Sequence, residues 1–192
     1  MARWQPNAPE RLAQAALELF AERGYENTTV IDIAQRAGLT KSTFFRHFQD
    51  KREVLFGGDT LSDLLAKAIA EAPGTATPLE AVAHALDAVG RHAFTPERRE
   101  FSTRRRAVIA ANPELQEREA LKGLRLTART TEALKRRGVP DLTARVAAEL
   151  GALASEIAYA RWSKTPDGDF GEAARLALTE VQAAAERASQ RH

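Results

Sequence analysis

Short polar and cationic side chains are concentrated between Thr28 and Phe56, where the sequence reads TTVIDIAQRAGLTKSTFFRHFQDKREVLF. Their hydroxyl, ammonium, guanidinium and imidazole groups suit contact with phosphates and with the edges of bases. Between residues 36 and 52 there are five basic side chains and one acidic one, a local net charge of +4, whereas the whole chain carries +2. A compact positive surface of this kind favours an anionic partner.

Two short helices that meet at residues 37–40 are expected to position these side chains. Gly38 permits the left-handed backbone that a sharp turn requires. Phe44 and Phe48 lie four residues apart, so both are expected to anchor the second helix in the core. This is the helix-turn-helix pattern, and its second helix would expose a largely polar set of side chains: Thr40, Lys41, Ser42, Thr43, Phe45, Arg46 and His47.

The rest of the chain predicts an all-α fold of about nine helices. Alanine, the best helix former, occurs 38 times in 192 residues, and β-branched residues never alternate over the length of a strand. Glycine and proline clusters separate the helical segments. Asp50 is the predicted N-cap of a long fourth helix that runs from Lys51 to about Glu71.

Composition and spacing argue against several other classes of protein. The chain has no cysteine, no metal-ligand spacing, no Ser-His-Asp set and no phosphate-binding glycine loop, so we expect no enzyme, no catalytic residue, no metal and no cofactor. Apolar runs fall short of the roughly 20 residues of a membrane span. The N-terminus lacks the apolar stretch of a signal peptide, and a cytoplasmic protein without a membrane partner is therefore expected.

Residues 10–56 resemble the DNA-binding domain of the tetracycline-repressor (TetR) family of bacterial transcription regulators. The matching segments are AALELFAERGYENTTV, IAQRAGLTKSTFFRHFQDK and the following REVL. The resemblance implies a DNA-binding domain over residues 8–56 and a helical regulatory domain, for ligand binding and dimerisation, over residues 57–192. It also implies a dimeric repressor that a small-molecule ligand releases from a pseudo-palindromic operator in double-stranded DNA.

Carried over residue by residue, the resemblance implies a set of DNA contacts. Thr28 or Thr29 would start the second helix and touch a phosphate. His47 would approach the backbone or a base, and Lys51 would contact a phosphate. Phe45 stands where family members commonly have tyrosine, so it would supply only apolar contact. The side chains expected in or beside the major groove are Lys41, Ser42, Thr43 and Arg46.

The last two predicted helices, over residues 142–163 and 169–190, have alanine-rich faces that would allow close approach of another helix. In the family that the chain resembles, these two helices form a four-helix interface between subunits, so a homodimer is expected. Packing within one subunit is the alternative. The candidate interface residues are Leu150, Leu153, Ile157, Ala174, Leu178 and Val181.

A ligand pocket is expected in the helical region between the DNA-binding segment and the last two helices. Pockets in helical proteins are mostly apolar with a few polar groups, and this region offers both. Apolar periodicity alone does not distinguish pocket residues from ordinary core residues. A DNA-binding regulator without small-molecule input therefore stays open, as does an activator instead of a repressor. The candidate lining residues are Leu61, Leu65, Leu86, Phe94, Phe101, Val108, Leu121, Leu124, Thr127 and Tyr159.

Overall fold

A computed structural model describes residues 7–57 and 60–188 of the chain. Within these residues the secondary structure is helical with no strand, which confirms the all-α prediction and its nine helices. Two short 3-10 helices, Glu53–Leu55 and Pro96–Arg98, accompany them. The α-helices are α1 (Ala8–Arg23), α2 (Val30–Arg36), α3 (Lys41–His47), α4 (Thr60–Glu71), α5 (Pro78–Ala93), α6 (Arg99–Ala110), α7 (Pro113–Arg136), α8 (Asp141–Trp162) and α9 (Phe170–Ala188).

Backbone and side-chain caps set the boundaries of the first helices. Gly24, with φ of 82°, ends α1. Thr29 and Asp32 form a reciprocal capping box at the start of α2, and Thr40 accepts a hydrogen bond from the Thr43 amide at the start of α3. Such caps satisfy backbone amides that the first helical turn leaves without a partner.

The prediction of one helix over residues 51–71 is wrong. The segment begins with the 3-10 helix Glu53–Leu55, and α4 starts only at Thr60. Between them Gly57 adopts a φ of 66°, in the left-handed region that an α-helix does not use. The end of the predicted last helix, residues 189 and 190, lies outside the described residues. In the part that the structure describes, no helix is long and apolar enough to cross a membrane.

The described residues divide into two compact units. The first contains residues 7–57 together with residues 100–122, and the second contains residues 60–99 and 123–188. The boundary drawn after residue 56 therefore does not separate the compact units. Val108, Ile109 and Leu115 are buried in the same core as the side chains of the first three helices, because these short helices need further apolar surface to enclose a core.

The second unit is built from α4, α5, α8, α9 and the C-terminal part of α7. The buried face of α8 consists mainly of alanine, and Gly151 stands at its centre. A Cβ atom on Gly151 would overlap Cγ1 of Val82, on α5. Small side chains thus allow α8 to lie very close to α5. The carboxyl end of α4 is held by Arg137, which donates hydrogen bonds to the carbonyls of Ile69 and Ala72 at 3.0 and 2.8 Å.

We expect Gly151→Ala to destabilise the protein, although alanine is the better helix former. Overpacking against Val82 costs about 1–3 kcal/mol, which exceeds the helix propensity gain of about 1 kcal/mol. Gly123→Ala, on α7, is the matched control, because a Cβ atom there meets nothing within 4 Å and should be stabilising. Urea unfolding measures both. Equal stabilisation by the two substitutions would contradict the close packing of α5 and α8.

Candidate nucleic-acid interface

The turn between α2 and α3 is held by backbone geometry and by one long-range hydrogen bond. Gly38 adopts a φ of 66°, and the Leu39 amide donates to the Ala34 carbonyl at 2.8 Å. Arg11, on α1, donates to the carbonyl of Ala37. This contact was not predicted, because a carbonyl acceptor 26 residues away leaves no signal in the sequence. The three helices thus form the expected helix-turn-helix.

Phe44 fixes which side of α3 faces outward. Its side chain is 0% exposed and its ring centroid lies 5.5 Å from that of Phe48, which is also buried. A seven-residue helix is too short to be stable alone, so this apolar contact supports both its helicity and its orientation. The confirmed anchor leaves the opposite side of α3 open to solvent.

The structure brings most of the predicted DNA-contact residues together on that open side. Thr43 is half-buried and its hydroxyl lies 3.0 Å from that of Thr40. Phe45 is 46% exposed, packs edge-on against Phe44, and has the Lys41 ammonium 5.8 Å from its ring centroid. The exposed members of the set are Thr29, Thr40, Lys41, Ser42, Phe45, Arg46 and His47.

Fewer of the basic side chains between residues 36 and 52 are without an acidic partner than the sequence indicated. Arg36 is paired with Glu22 at 2.8 Å and with Glu18 at 3.4 Å, and its hydrogen bonds hold the pKa of Glu22 below the usual value. Arg52 is paired with Asp50 at 2.7 Å. Within the described residues, Lys41 and Arg46 have no acidic partner. Lys51, four residues beyond the end of α3, also lacks a carboxylate partner among these residues, but its ammonium is bound to backbone carbonyls.

Thr28 is not available for the phosphate contact that was expected of Thr28 or Thr29. Its side chain is 1% exposed, and its hydroxyl donates to the carbonyl of Gly24 at 2.9 Å, with the carbonyl of Leu19 at 3.4 Å. The α1–α2 connection turns this hydroxyl into the core, where the carbonyls satisfy it. Thr29, exposed at the start of α2, is the threonine that can meet a phosphate.

The ammonium of Lys51 is partly used in hydrogen bonds within the protein. Its ammonium donates to the carbonyls of Tyr25 and Thr28 at 2.8 and 3.3 Å, and it lies 4.1 Å from the Tyr25 ring centroid. An ammonium has three donors, so a phosphate contact would use the remaining one. Lys51 therefore stabilises the α1–α2 connection as well as bearing charge near α3.

The predicted ligand-pocket residues do not form one site. Phe101 and Val108 contribute to the core of the first unit, and Leu121 and Leu124 are exposed. Thr127 is half-buried, and its carbonyl accepts a hydrogen bond from the Thr131 hydroxyl. Helical periodicity marks a buried face without showing which of two cores covers it. The candidates in or against the core of the second unit are Leu61, Leu65, Leu86, Phe94 and Tyr159.

Three of the six predicted interface residues lie within the core of the second unit: Ala174, Leu178 and Val181. Of the other three, Leu153 is exposed on the outer side of α8, whereas Leu150 and Ile157 flank that side, half-buried against the core. That side also carries Leu142, 75% exposed, and Val146. Helix α8 thus has small residues on its buried face and large aliphatic ones on its outer face.

An open groove of about 670 Å³ lies in the second unit, where α5 and α8 begin, beside the middle of α9. Val146 from the outer side of α8 and Leu150, which flanks that side, contribute to its lining, together with Leu178. None of the ten predicted pocket residues lines it. The groove is therefore continuous with the outer face of α8 and separate from the predicted pocket.

The segment that contains the helix-turn-helix is similar in sequence to known proteins. The family described as "Bacterial regulatory proteins, tetR family" matches residues 12–56, the segment that contains the helix-turn-helix. Residues 12–56 thus match the DNA-binding segment of the TetR family. The transcriptional regulator TcmR of Streptomyces glaucescens is 40% identical over 81 residues, which are 42% of this chain and 36% of TcmR. HbdR of Aromatoleum sp. (strain CIB) is 34% identical over 80 residues, 40% of this chain and 34% of HbdR.

The chain thus spans about a third of the length of these two relatives. Both relatives are named as transcriptional regulators, in agreement with the expectation that the chain is not an enzyme. The similarity of fold covers more of the chain than the similarity of sequence does. A solved complex of SmeT with triclosan covers 92% of this chain and 90% of SmeT at 20% identity and a TM-score of 0.58. A regulator from Aquifex aeolicus VF5 covers 93% and 99% at 17% identity and a TM-score of 0.55.

We expect Thr28→Val to act on stability and not on DNA contact. The substitution leaves buried carbonyls without their hydroxyl donor, which costs about 1–2 kcal/mol, whereas Thr28→Ser keeps the hydroxyl and should cost less. Thermal unfolding measures the loss. DNA affinity and its salt dependence, measured well below the melting temperature, should match those of the wild type. Loss of DNA affinity at unchanged stability would contradict the buried role of Thr28.

Proposed function

We propose that this chain is a sequence-specific, DNA-binding transcriptional regulator of the TetR family that inserts α3 into the major groove of double-stranded DNA. The observation that carries the proposal is the outer face of α3, where Lys41 and Arg46 have no acidic partner within the described residues while Phe44 anchors the helix from behind. Cations provide affinity through phosphates, and base-edge contacts provide specificity. The naming of TcmR and HbdR as regulators supports the same activity.

A homodimer is the proposed working form, because two symmetric subunits place two recognition helices on a pseudo-palindromic operator. The outer face of α8 supports this proposal. Leu142, Val146 and Leu153 are 75%, 49% and 48% exposed, and a stripe of large aliphatic side chains in water favours association. The interface is thus proposed to centre on α8, with Leu150 and Ile157 at its half-buried side.

A small molecule is the proposed input signal, with the protein acting as a repressor in the cytoplasm. SmeT, which shares this fold, has been solved with triclosan. In this chain the indole nitrogen of Trp162 is buried without a hydrogen-bond partner among the described residues. It stands in an aromatic group with Phe94, Tyr159 and Phe170. The Arg99 guanidinium also lies 4.3 Å from the indole centroid. A few polar groups of this kind among aromatic side chains are how ligand pockets select a polar atom.

Selection of genomic duplex fragments by the full-length protein at moderate salt tests the proposed function. Enrichment of a pseudo-palindrome supports it, and no enrichment at any salt concentration overturns it. Compounds that raise the melting temperature are then added to the DNA complex. Release supports the proposed ligand-controlled repressor, tighter binding contradicts release by a ligand, and no effect of any compound indicates a regulator without small-molecule input.

We expect Lys41→Ala and Arg46→Ala each to weaken binding to the selected operator by about tenfold and to reduce the salt slope by about 1. The reason is the loss of one cation from the outer face of α3. Arg125→Ala is the control, since Arg125 is an exposed cation on α7. Fluorescence anisotropy at several salt concentrations measures the slope. A slope as steep as that of the wild type would remove that residue from the interface.

We expect Leu153→Glu to separate the proposed dimer. A carboxylate buried at the centre of an apolar interface costs about 2 kcal/mol or more. Leu124→Glu, at an exposed leucine on α7, carries the same change away from α8 and should leave the dimer intact. Sedimentation velocity distinguishes the two variants. A Leu153→Glu protein that stays dimeric would place the interface elsewhere.

A further inference from the structure

The first turns of α7 are part of the same compact unit as the helix-turn-helix. Residues 113–122 of this helix belong to the first unit, and residues 123–136 belong to the second. Leu115 is 0% exposed in the core that also contains Phe44. The start of α7 therefore has a fixed place beside α1, α2 and α3, although it lies more than 60 residues further along the chain.

Two polar side chains on one face of α7 flank this buried leucine. Glu114 accepts a hydrogen bond from the Tyr25 hydroxyl at 3.2 Å, and Arg118 forms an ion pair with Glu53. Glu114 and Arg118 are four residues apart, so they lie one above the other on a helix. Arg118 and Glu53 are both more than two-thirds buried, which screens their attraction less than at an open surface.

Each of these contacts leads to one end of the helix-turn-helix. The second carboxylate oxygen of Glu53 accepts the Gln49 amide hydrogen at 2.8 Å, two residues beyond the end of α3. The Tyr25 carbonyl accepts from Lys51, whose ammonium also reaches the Thr28 carbonyl just before α2. The face of α7 thus connects to the entry of α2 and to the exit of α3.

A second layer of contacts holds the 3-10 helix that follows α3. Arg105 donates from Nε to the Leu55 carbonyl and is paired with Glu119 at 2.8 Å. Lys122 donates to the carbonyl of Phe56. Cationic donors at the carboxyl end of a helix satisfy its last carbonyls and complement its dipole. The 3-10 helix is therefore fixed to α6 and α7 independently of the Glu53–Arg118 pair.

We propose that Glu114, Arg118 and Glu53 are positioning residues that set the orientation of α2 and α3 for DNA. The unit that binds DNA is therefore discontinuous in sequence and includes residues 100–122. This inference rests on the proposed function. It assigns to the start of α7 a role in sequence specificity without any contact between α7 and the DNA.

The test compares Arg118→Gln with Arg125→Gln in the full-length protein. Both substitutions remove one positive charge from α7, but Arg125 is exposed and has no recorded partner within the described residues. Affinity is measured for the selected operator and for an unrelated duplex of equal length. Arg118→Gln should weaken operator binding by about tenfold and change binding to the unrelated duplex no more than Arg125→Gln does, since non-specific affinity depends mainly on charge.

A double-mutant cycle shows whether Glu53 and Arg118 act together. Glu53→Gln keeps an oxygen for the Gln49 amide and removes the ion pair. If the pair positions α3, the double variant Glu53→Gln with Arg118→Gln should lose no more operator affinity than either single variant. Additive losses would show that the two residues act separately and would overturn the proposal for this pair.

Amide hydrogen exchange of the DNA-free protein gives a readout that does not depend on an operator. Residues 44–49 should exchange faster in Arg118→Gln than in Arg125→Gln. Tyr25→Phe removes only the hydroxyl bonded to Glu114 and serves if Arg118→Gln does not fold. Unchanged exchange together with equal losses on both duplexes overturns the positioning role. Failure of the wild type to select any sequence overturns the proposed function instead, and the exchange rates still decide the positioning role.

Discussion

The proposed DNA-binding surface depends on the burial of Phe44 beneath α3. A helix of seven residues forms too few internal hydrogen bonds to be stable in water, so its structure comes from contact with the core. Burying a phenylalanine side chain contributes about 1.5–3 kcal/mol, and Phe48 adds a second contact one turn later. Once Phe44 points inward, helical geometry directs Lys41, Phe45 and Arg46 outward.

The core that receives Phe44 is not made by the N-terminal helices alone. Leu115, together with Val108 and Ile109, closes it from a distant part of the sequence. Polar contacts then connect the start of α7 to the corner before α2 and to the exit of α3. The orientation of the helix-turn-helix is consequently a property of residues 7–57 and 100–122 together.

Helix α8 shows how packing distance decides which residues stay exposed. Its alanine face and Gly151 allow a close approach to α5 and α9, and dispersion contacts reward that approach even without large side chains. Large aliphatic side chains of α8, among them Leu142 and Leu153, are left on the opposite face. A helix with two apolar faces has one face for its own subunit and one available for a partner.

Local signals were sufficient to predict nine helices, the helix-turn-helix and most of its exposed residues, although the predicted fourth helix began at Lys51 and α4 begins at Thr60. The caps at Thr29 and Thr40 involve partners three residues away, so the sequence by itself determined where α2 and α3 begin. The spacing of Phe44 and Phe48 also sufficed to choose the outer face of α3, because a short helix with two aromatic anchors has one buried side.

Only the tertiary structure decided the placement of Thr28, Lys51, Leu153 and Leu178. Thr28 and Lys51 donate hydrogen bonds to backbone carbonyls, and the residue types in the sequence give no signal for such acceptors. Leu178 is buried and Leu153 is exposed, although both recur at helical spacing on apolar faces. Periodicity shows that a helix has an apolar face, but the element that covers that face comes from elsewhere in the chain. For this reason the sequence determined the helices and the outer face of α3. The packing decided which side chains remain exposed for contact with a ligand, a partner subunit or DNA.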